Sequence, residues 1–157
     1  MRYFIDTEYQ WNADAATLYP LSIALVAEDG REFYGLLHPI HRDDWSLFLI
    51  GHVLPVMGHP DPGEQTTVYL RGAARDAILA LVGDDEPQFW GDYSAFDYVV
   101  LSMLMGGFAD WPEGWPMHVN DLQQDAIPSV VSAIPHNALS DARAVRHAWN
   151  HAFQVTA

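Results

Sequence analysis

Asp6 and Glu8 stand two residues apart in RYFIDTEYQ, a stretch otherwise suited to a β-strand. Strand residues alternate faces, so Arg2, Phe4, Asp6 and Glu8 share one side, and Tyr3, Ile5, Thr7 and Tyr9 the other. Two residues of rise separate the carboxylates by roughly 6–7 Å. Their repulsion is on the order of 2–3 kcal/mol at an effective dielectric of about 20. Two further acids occur among apolar residues. Asp97 lies in SAFDYVVLSML, with Val100 and Leu101 three and four residues on, so it sits on or beside a buried helix face. Asp141, in HNALSDARAV, precedes Val145 by four and shares its buried side, and His136 lies just before that helix. Inward acids require protonation or cations. Carboxylates without Cys or several His are hard oxygen ligands that suit Mg²⁺ or Mn²⁺. Two divalent ions would balance four carboxylates, and a pair about 3.5–4 Å apart is the usual clamp for phosphodiester cleavage. One ion activates the attacking water and the other stabilises the leaving oxygen. A histidine titrating near neutrality is suited to take the water's proton.

Each of these residues has a plainer reading. A lone D-x-E is usually an exposed pair at a strand end, and Asp97 and Asp141 also fit as first-turn acids favoured by the helix dipole. Asp92 competes with Asp97 but reads better as a cap or turn residue after PQFWG. Arg143 and Arg146, three apart, are candidates for phosphate contact and equally for a helix surface. Trp111/Trp115 and Trp45/Phe48 are candidates for base stacking, with packing the commoner use.

The elements that must position these groups follow from periodicity and punctuation. Residues 2–9 predict a strand and 10–19 a loop. Strands over 20–27 and 31–37 flank a turn at Asp29-Gly30. The apolar 44–57 predicts a helix ending near Pro55, and GHPDPGEQTT a loop. Helices are predicted over 71–82, stopped by Gly83, and over 94–105 with Ser94 as N-cap. PQFWG, 87–91, is a buried strand, GGFADWPEGWP a loop, and MHVNDL a last strand. A final helix runs from Asn137 to Phe153, its buried face marked by Val145, Trp149, Ala152 and Phe153. The order gives one α/β domain over 1–157, a mixed sheet covered by helices.

The 157 residues suffice for a single core, and half of them are hydrophobic, which excludes disorder. No apolar run reaches a membrane span, and no signal-peptide core opens the chain, so a cytoplasmic protein is expected. Absence of Cys excludes disulfides and thiolate metal sites. The seven basic residues are all Arg, and the net charge of −14 argues against coating long nucleic acid. It suits cation binding or a small substrate handled locally. It also leaves open a non-catalytic acidic protein that mimics nucleic acid on a basic partner.

Asp-Thr-Glu in the first strand, Ala-Phe-Asp opening a mid-chain helix, and His-Asn-Ala-Leu-Ser-Asp-Ala before the last helix resemble the three motifs of the DEDDh 3′–5′ exonucleases. That group includes RNase T and oligoribonuclease. DTEY…LSIALVAEDGREFYG, with HVLP further on, looks most like the small actinobacterial, mycobacterial-type exoribonucleases. The resemblance implies an RNase H-like fold and two-metal removal of 5′-mononucleotides from RNA 3′ ends or short oligonucleotides, with single-stranded DNA as the alternative. It assigns Asp6, Glu8 and Asp141 to a first Mg²⁺ or Mn²⁺, and Asp6 with Asp97 to a second. His136 becomes the general base, and the backbone near Thr7 and the ring of Tyr9 contact substrate. The chain departs from the pattern at Tyr93, where many members have Asn, and at Tyr9-Gln10-Trp11, where a Gly is usual. The apolar 45–57 segment and the Trp-rich loop are candidate faces of a homodimer.

Overall fold

A computed structural model describes residues 1–12, 14–38 and 45–154. Six strands form one mixed sheet in the order β4-β3-β2-β1-β5-β6. They are β1 (Arg2–Asn12), β2 (Thr17–Ala27), β3 (Glu32–His38), β4 (Val68–Leu70), β5 (Gln88–Gly91) and β6 (Asn120–Asp121). The helices are α1 (Arg71–Val82), α2 (Ala95–Met105) and α3 (Ala138–Gln154). β1 is antiparallel to β2 and parallel to β5.

The period-2 pattern of the strands distributes the core to two faces. Tyr3, Ile5, Ile23, Leu25 and Phe89 pack with Ala74, Ile78 and Val82 of α1 and Val100, Leu101 and Leu104 of α2. Phe4, Ala24 and Val26 pack on the other face with Leu139, Ala142 and Val145 of α3. Asp6 and Glu8 therefore continue the α3 face, and Thr7 and Tyr9 the α1/α2 face.

Several boundaries differ from the sequence expectation. Most of the predicted loop over 10–19 is strand: β1 and β2 stay paired through Tyr9–Pro20, Gln10–Tyr19, Trp11–Leu18 and Asn12–Thr17. Ladder pairing there overrides the polar composition. A bulge opposite Glu8 and Tyr9 shifts the register by one residue, beside Pro20, which has no N–H to give a ladder. The predicted helix over 44–57 is irregular; Asp44 lies outside the described residues. It contains a π-helical stretch at Leu49–Val53 followed by a 3-10 turn at Leu54–Val56. Pro55 supplies no N–H, and the Leu54 N–H reaches Leu49 O, five residues back. β4 has no counterpart in the sequence expectation, because three residues against a helix carry no periodic signal. MHVNDL pairs only at Asn120 and Asp121. The 71–82 helix and its Gly83 stop agree with expectation. Among the described residues, no helix is long and apolar enough to cross a membrane.

Candidate active site

The site forms where β1 outruns its parallel neighbour. β5 pairs with β1 only at Arg2, Tyr3 and Phe4. Beyond Phe4 that edge of β1 has no β5 partner, and the first turns of α2 and α3 bring Asp97 and Asp141. Both helix N-termini favour negative charge there. One oxygen each from Asp6, Glu8 and Asp141 lies within 4.8 Å of the others. Asp97 approaches from the opposite face of the sheet, buried, and accepts a 2.6 Å hydrogen bond from Thr7 Oγ1.

Among the described residues, no arginine forms an ion pair with any of the four acids. Burial, then the charges of Asp97, Glu8 and Asp141, raise Asp6 well above the usual carboxylate range. Burial, then Asp141 and Asp97, push Glu8 up to about 8. Burial pushes Asp97 up to about 7 against the opposing hydrogen bond of Thr7. Asp141 is also raised, chiefly by burial, and accepts the His136 N–H at 2.8 Å. Uncompensated carboxylates converging on one point fit a hard divalent cation.

A cleft of about 560 Å³ opens over these groups. It is lined by the polar Asp6, Glu8, Asp97 and His136 and by the rings of Tyr9, Trp11, Phe48 and Phe96. Tyr9 and Phe96 stack at 4.9 Å, with Trp11 tilted against Phe96 at 6.0 Å. No described Arg or Lys is among the lining residues.

All five residues singled out in the sequence thus converge, with Thr7 and Tyr9 beside them. Thr7 does more than supply backbone, since its hydroxyl holds Asp97. Asp92 sits in the turn after β5 as expected, yet also lines the cleft and a smaller cavity shared with Asp6 and Asp141. Tyr93, the departure from the motif, is exposed with φ of 56°. Arg143 is no free phosphate ligand: it pairs with both Glu32 and Asp61. Arg146 donates to Glu28 O. Trp111 and Trp115 pack, the Trp111 indole N–H donating to Trp115 O.

Ser94 occupies the cap position of α2, but its side chain makes no cap bond. Asp121 substitutes from β6, accepting the Ser94 N–H at 2.7 Å and the Ser94 hydroxyl at 3.1 Å. Sequence reasoning missed Asp121 because its partner is 27 residues away. Gly91 was missed too. A Cβ there would lie 2.9 Å from Ser94 Cβ and 3.0 Å from Asp97 Oδ2.

No protein-family model matches the chain. Two curated relatives, each named a 3′–5′ exoribonuclease and each from a strain of Mycobacterium tuberculosis, are 32% identical over 151 residues. The alignment covers 91% of this chain and 88% of the relative. Among solved structures, two chains of exonuclease I superpose with TM-scores of 0.61 and 0.58 at 16% identity. They cover 93% and 94% of this chain, which spans only 39% and 40% of theirs. That likeness gives the fold, an RNase H-like mixed sheet flanked by helices.

Proposed function

The chain belongs to the DEDDh 3′–5′ exonucleases, among relatives of the mycobacterial exoribonuclease type, and from that premise we propose that it hydrolyses RNA from the 3′ end, one 5′-mononucleotide at a time. The observation that carries the reading is the approach of Asp6, Glu8 and Asp141 within 4.8 Å, beside Asp97 and His136, in a cleft lined by no Arg or Lys among the described residues.

In this reading Asp6, Glu8 and Asp141 would hold one divalent ion, Mg²⁺ or Mn²⁺, and Asp6 and Asp97 a second. Bound ions would neutralise the carboxylates and the scissile phosphate and polarise the attacking water. His136 takes the proton as the water oxygen bonds to phosphorus. The phosphorus–O3′ bond breaks, and O3′ takes a proton from solvent water, leaving a 3′-hydroxyl on the shortened RNA and a nucleoside 5′-monophosphate. Tyr9, Phe96 and Trp11 offer faces for unpaired bases, each stack worth about 1–3 kcal/mol. Residues 1–157 act as one domain in this reading, in the cytoplasm. Exposed Leu47 and Ile50 support a homodimer face on the 45–57 segment, which sedimentation would test.

The deciding assay uses end-labelled single-stranded RNA and DNA of one sequence with Mg²⁺ or Mn²⁺. A one-nucleotide ladder from the 3′ end of RNA is expected, abolished by chelator and in Asp6→Ala and His136→Ala. A faster ladder on DNA would replace the RNA reading. Intact ends with every metal tried would favour an acidic protein that only binds.

A further inference from the structure

Asn137 follows His136 directly and is 1% exposed. A buried amide is costly unless its polar atoms are matched. Here each of them is. Asn137 Oδ1 accepts the Ser140 N–H at 3.0 Å. Its amide nitrogen donates to Val56 O at 2.7 Å and to Gly58 O at 2.8 Å. The first bond caps α3. The other two tie the start of α3 to the end of the irregular helical segment that carries Phe48.

Those two pieces of chain face each other at His136. The Phe48 ring stands nearly perpendicular to the imidazole, centroids 5.0 Å apart. His136 has φ of 66°, a left-handed conformation that disfavours any residue with a Cβ by roughly 1–2 kcal/mol. Surrounding structure must hold such a residue in place. The His136 N–H bonds Asp141 Oδ2, and the Asp141 N–H bonds Asn137 O.

We propose that Asn137 is a positioning residue for hydrolysis: its amide clamps the His136–Asp141 turn to the Phe48-bearing segment and so fixes the imidazole over the cleft. The proposal rests on the assignment of His136 and Asp141 given above. A cap alone needs only an acceptor, which Asp or Ser supplies equally well. The paired donors are what capping does not require, and Asp and Ser cannot reproduce both.

Asn137→Asp keeps the cap and the shape but turns an oxygen toward two carbonyls; Asn137→Ser keeps the cap without the reach. Both are assayed with the full chain, well below each melting midpoint. The turnover number is expected to fall on the order of 100-fold, the cost of about 1 Å of misplacement. KM for a short oligoribonucleotide and Mn²⁺ affinity by calorimetry should stay within about twofold, since Asp141 keeps its own helix position. Phe48→Leu, which leaves Asn137 intact, should show the same loss in turnover alone, and the double variant should lose less than the product of the two. Wild-type turnover in folded Asn137→Asp, or in Phe48→Leu, overturns the proposal. So does a parallel fall of turnover and Mn²⁺ affinity, which marks a purely structural role. An active His136→Ala would instead overturn the site assignment itself.

Discussion

The Thr7 hydroxyl donates to Asp97 Oδ1 at 2.6 Å, joining residues 90 apart in the chain. Thr7 faces the α2 side of the sheet, while its neighbours Asp6 and Glu8 face α3. One strand therefore holds carboxylates directly on one face and positions another from the opposite face. Hydrogen bonds to charged groups contribute about 1.5–3 kcal/mol. Thr7→Val should release Asp97, raise its protonation further and lower activity about tenfold, whereas Thr7→Ser should retain most of it. Initial rates at saturating Mn²⁺ check this. Equal rates in Val and Ser variants would show that the hydroxyl is dispensable.

Gly91 completes the seat of Asp97 from beneath. Its missing Cβ leaves room that Ser94 and the carboxylate fill. The Ser94 Cα lies 3.4 Å from the same point, so backbone limits relief. Gly91→Ala should therefore destabilise the fold by about 1–3 kcal/mol, the usual cost of overpacking, and reduce activity beyond the loss of folded protein. Paired urea unfolding and rate measurements separate the two effects. An Ala variant with both unchanged would mean that α2 moves freely.

The same seat explains what could be read without a structure. Asp6, Glu8, Asp97 and Asp141 were legible because each breaks a local rule, charge within an apolar period, and His136 because it opens the H-x-A-x-x-D-A spacing that contains Asp141. The residues that steady them break none. Asp121 sits in a two-residue strand, and its role exists only through Ser94 on another segment. Asn137 did carry a local signal, Asn followed three residues later by Ser at a helix start, but its donors reach residues 79 and 81 positions away. Elements failed similarly. α1 was legible to the residue from its amphipathic period and Gly83, whereas the extension of β1 depends on pairing with Thr17–Pro20.

Asp121 should behave as a remote helix cap. Burial pushes its carboxyl up, but the N–H groups of Ser94 and Gln123 outweigh this and hold it below the usual range. Asp121→Ala should destabilise the protein by about 1 kcal/mol, the typical value of a cap. Asp121→Asn should recover part of that stability, because one amide oxygen can still accept the Ser94 N–H. Thermal scans of the two variants decide it; identical midpoints for Ala and wild type would exclude the capping role.

The crowded carboxylates make stability depend on pH in an unusual direction. Unfolded carboxyls titrate near about 4, whereas Glu8 and Asp97 are pushed up to about 8 and about 7. Between those values the native chain binds more protons than the unfolded one. Its stability without metal is therefore complete below about pH 4 from these groups and is lost as pH rises through about 7 to about 8. In chelator, the melting midpoint should fall between about pH 5 and about pH 9. Saturating Mn²⁺ should remove most of that fall, because bound cations favour the charged forms. Metal binding at about pH 6 should also release protons. A midpoint in chelator that rises across this range would contradict the arrangement of the acids.

Salt dependence tests how the cleft grips its substrate. Each phosphate neutralised by a side-chain cation adds about −0.7 to the slope of log affinity against log salt for a single strand. Among the described residues no Arg or Lys lines the cleft, and Arg143, a sequence candidate for phosphate contact, is engaged by Glu32 and Asp61. Binding of a short oligoribonucleotide at constant metal should therefore have a slope shallower than about −1. In the proposed reading stacking on the Tyr9–Phe96 pair contributes instead, so Phe96→Ala should weaken binding about 5- to 150-fold, the equivalent of one base stack. Arg143→Met should leave the salt slope unchanged. A steep slope, or one that flattens in Arg143→Met, would show that phosphate contacts by arginine dominate and that the ion pairs with Glu32 and Asp61 open when RNA binds.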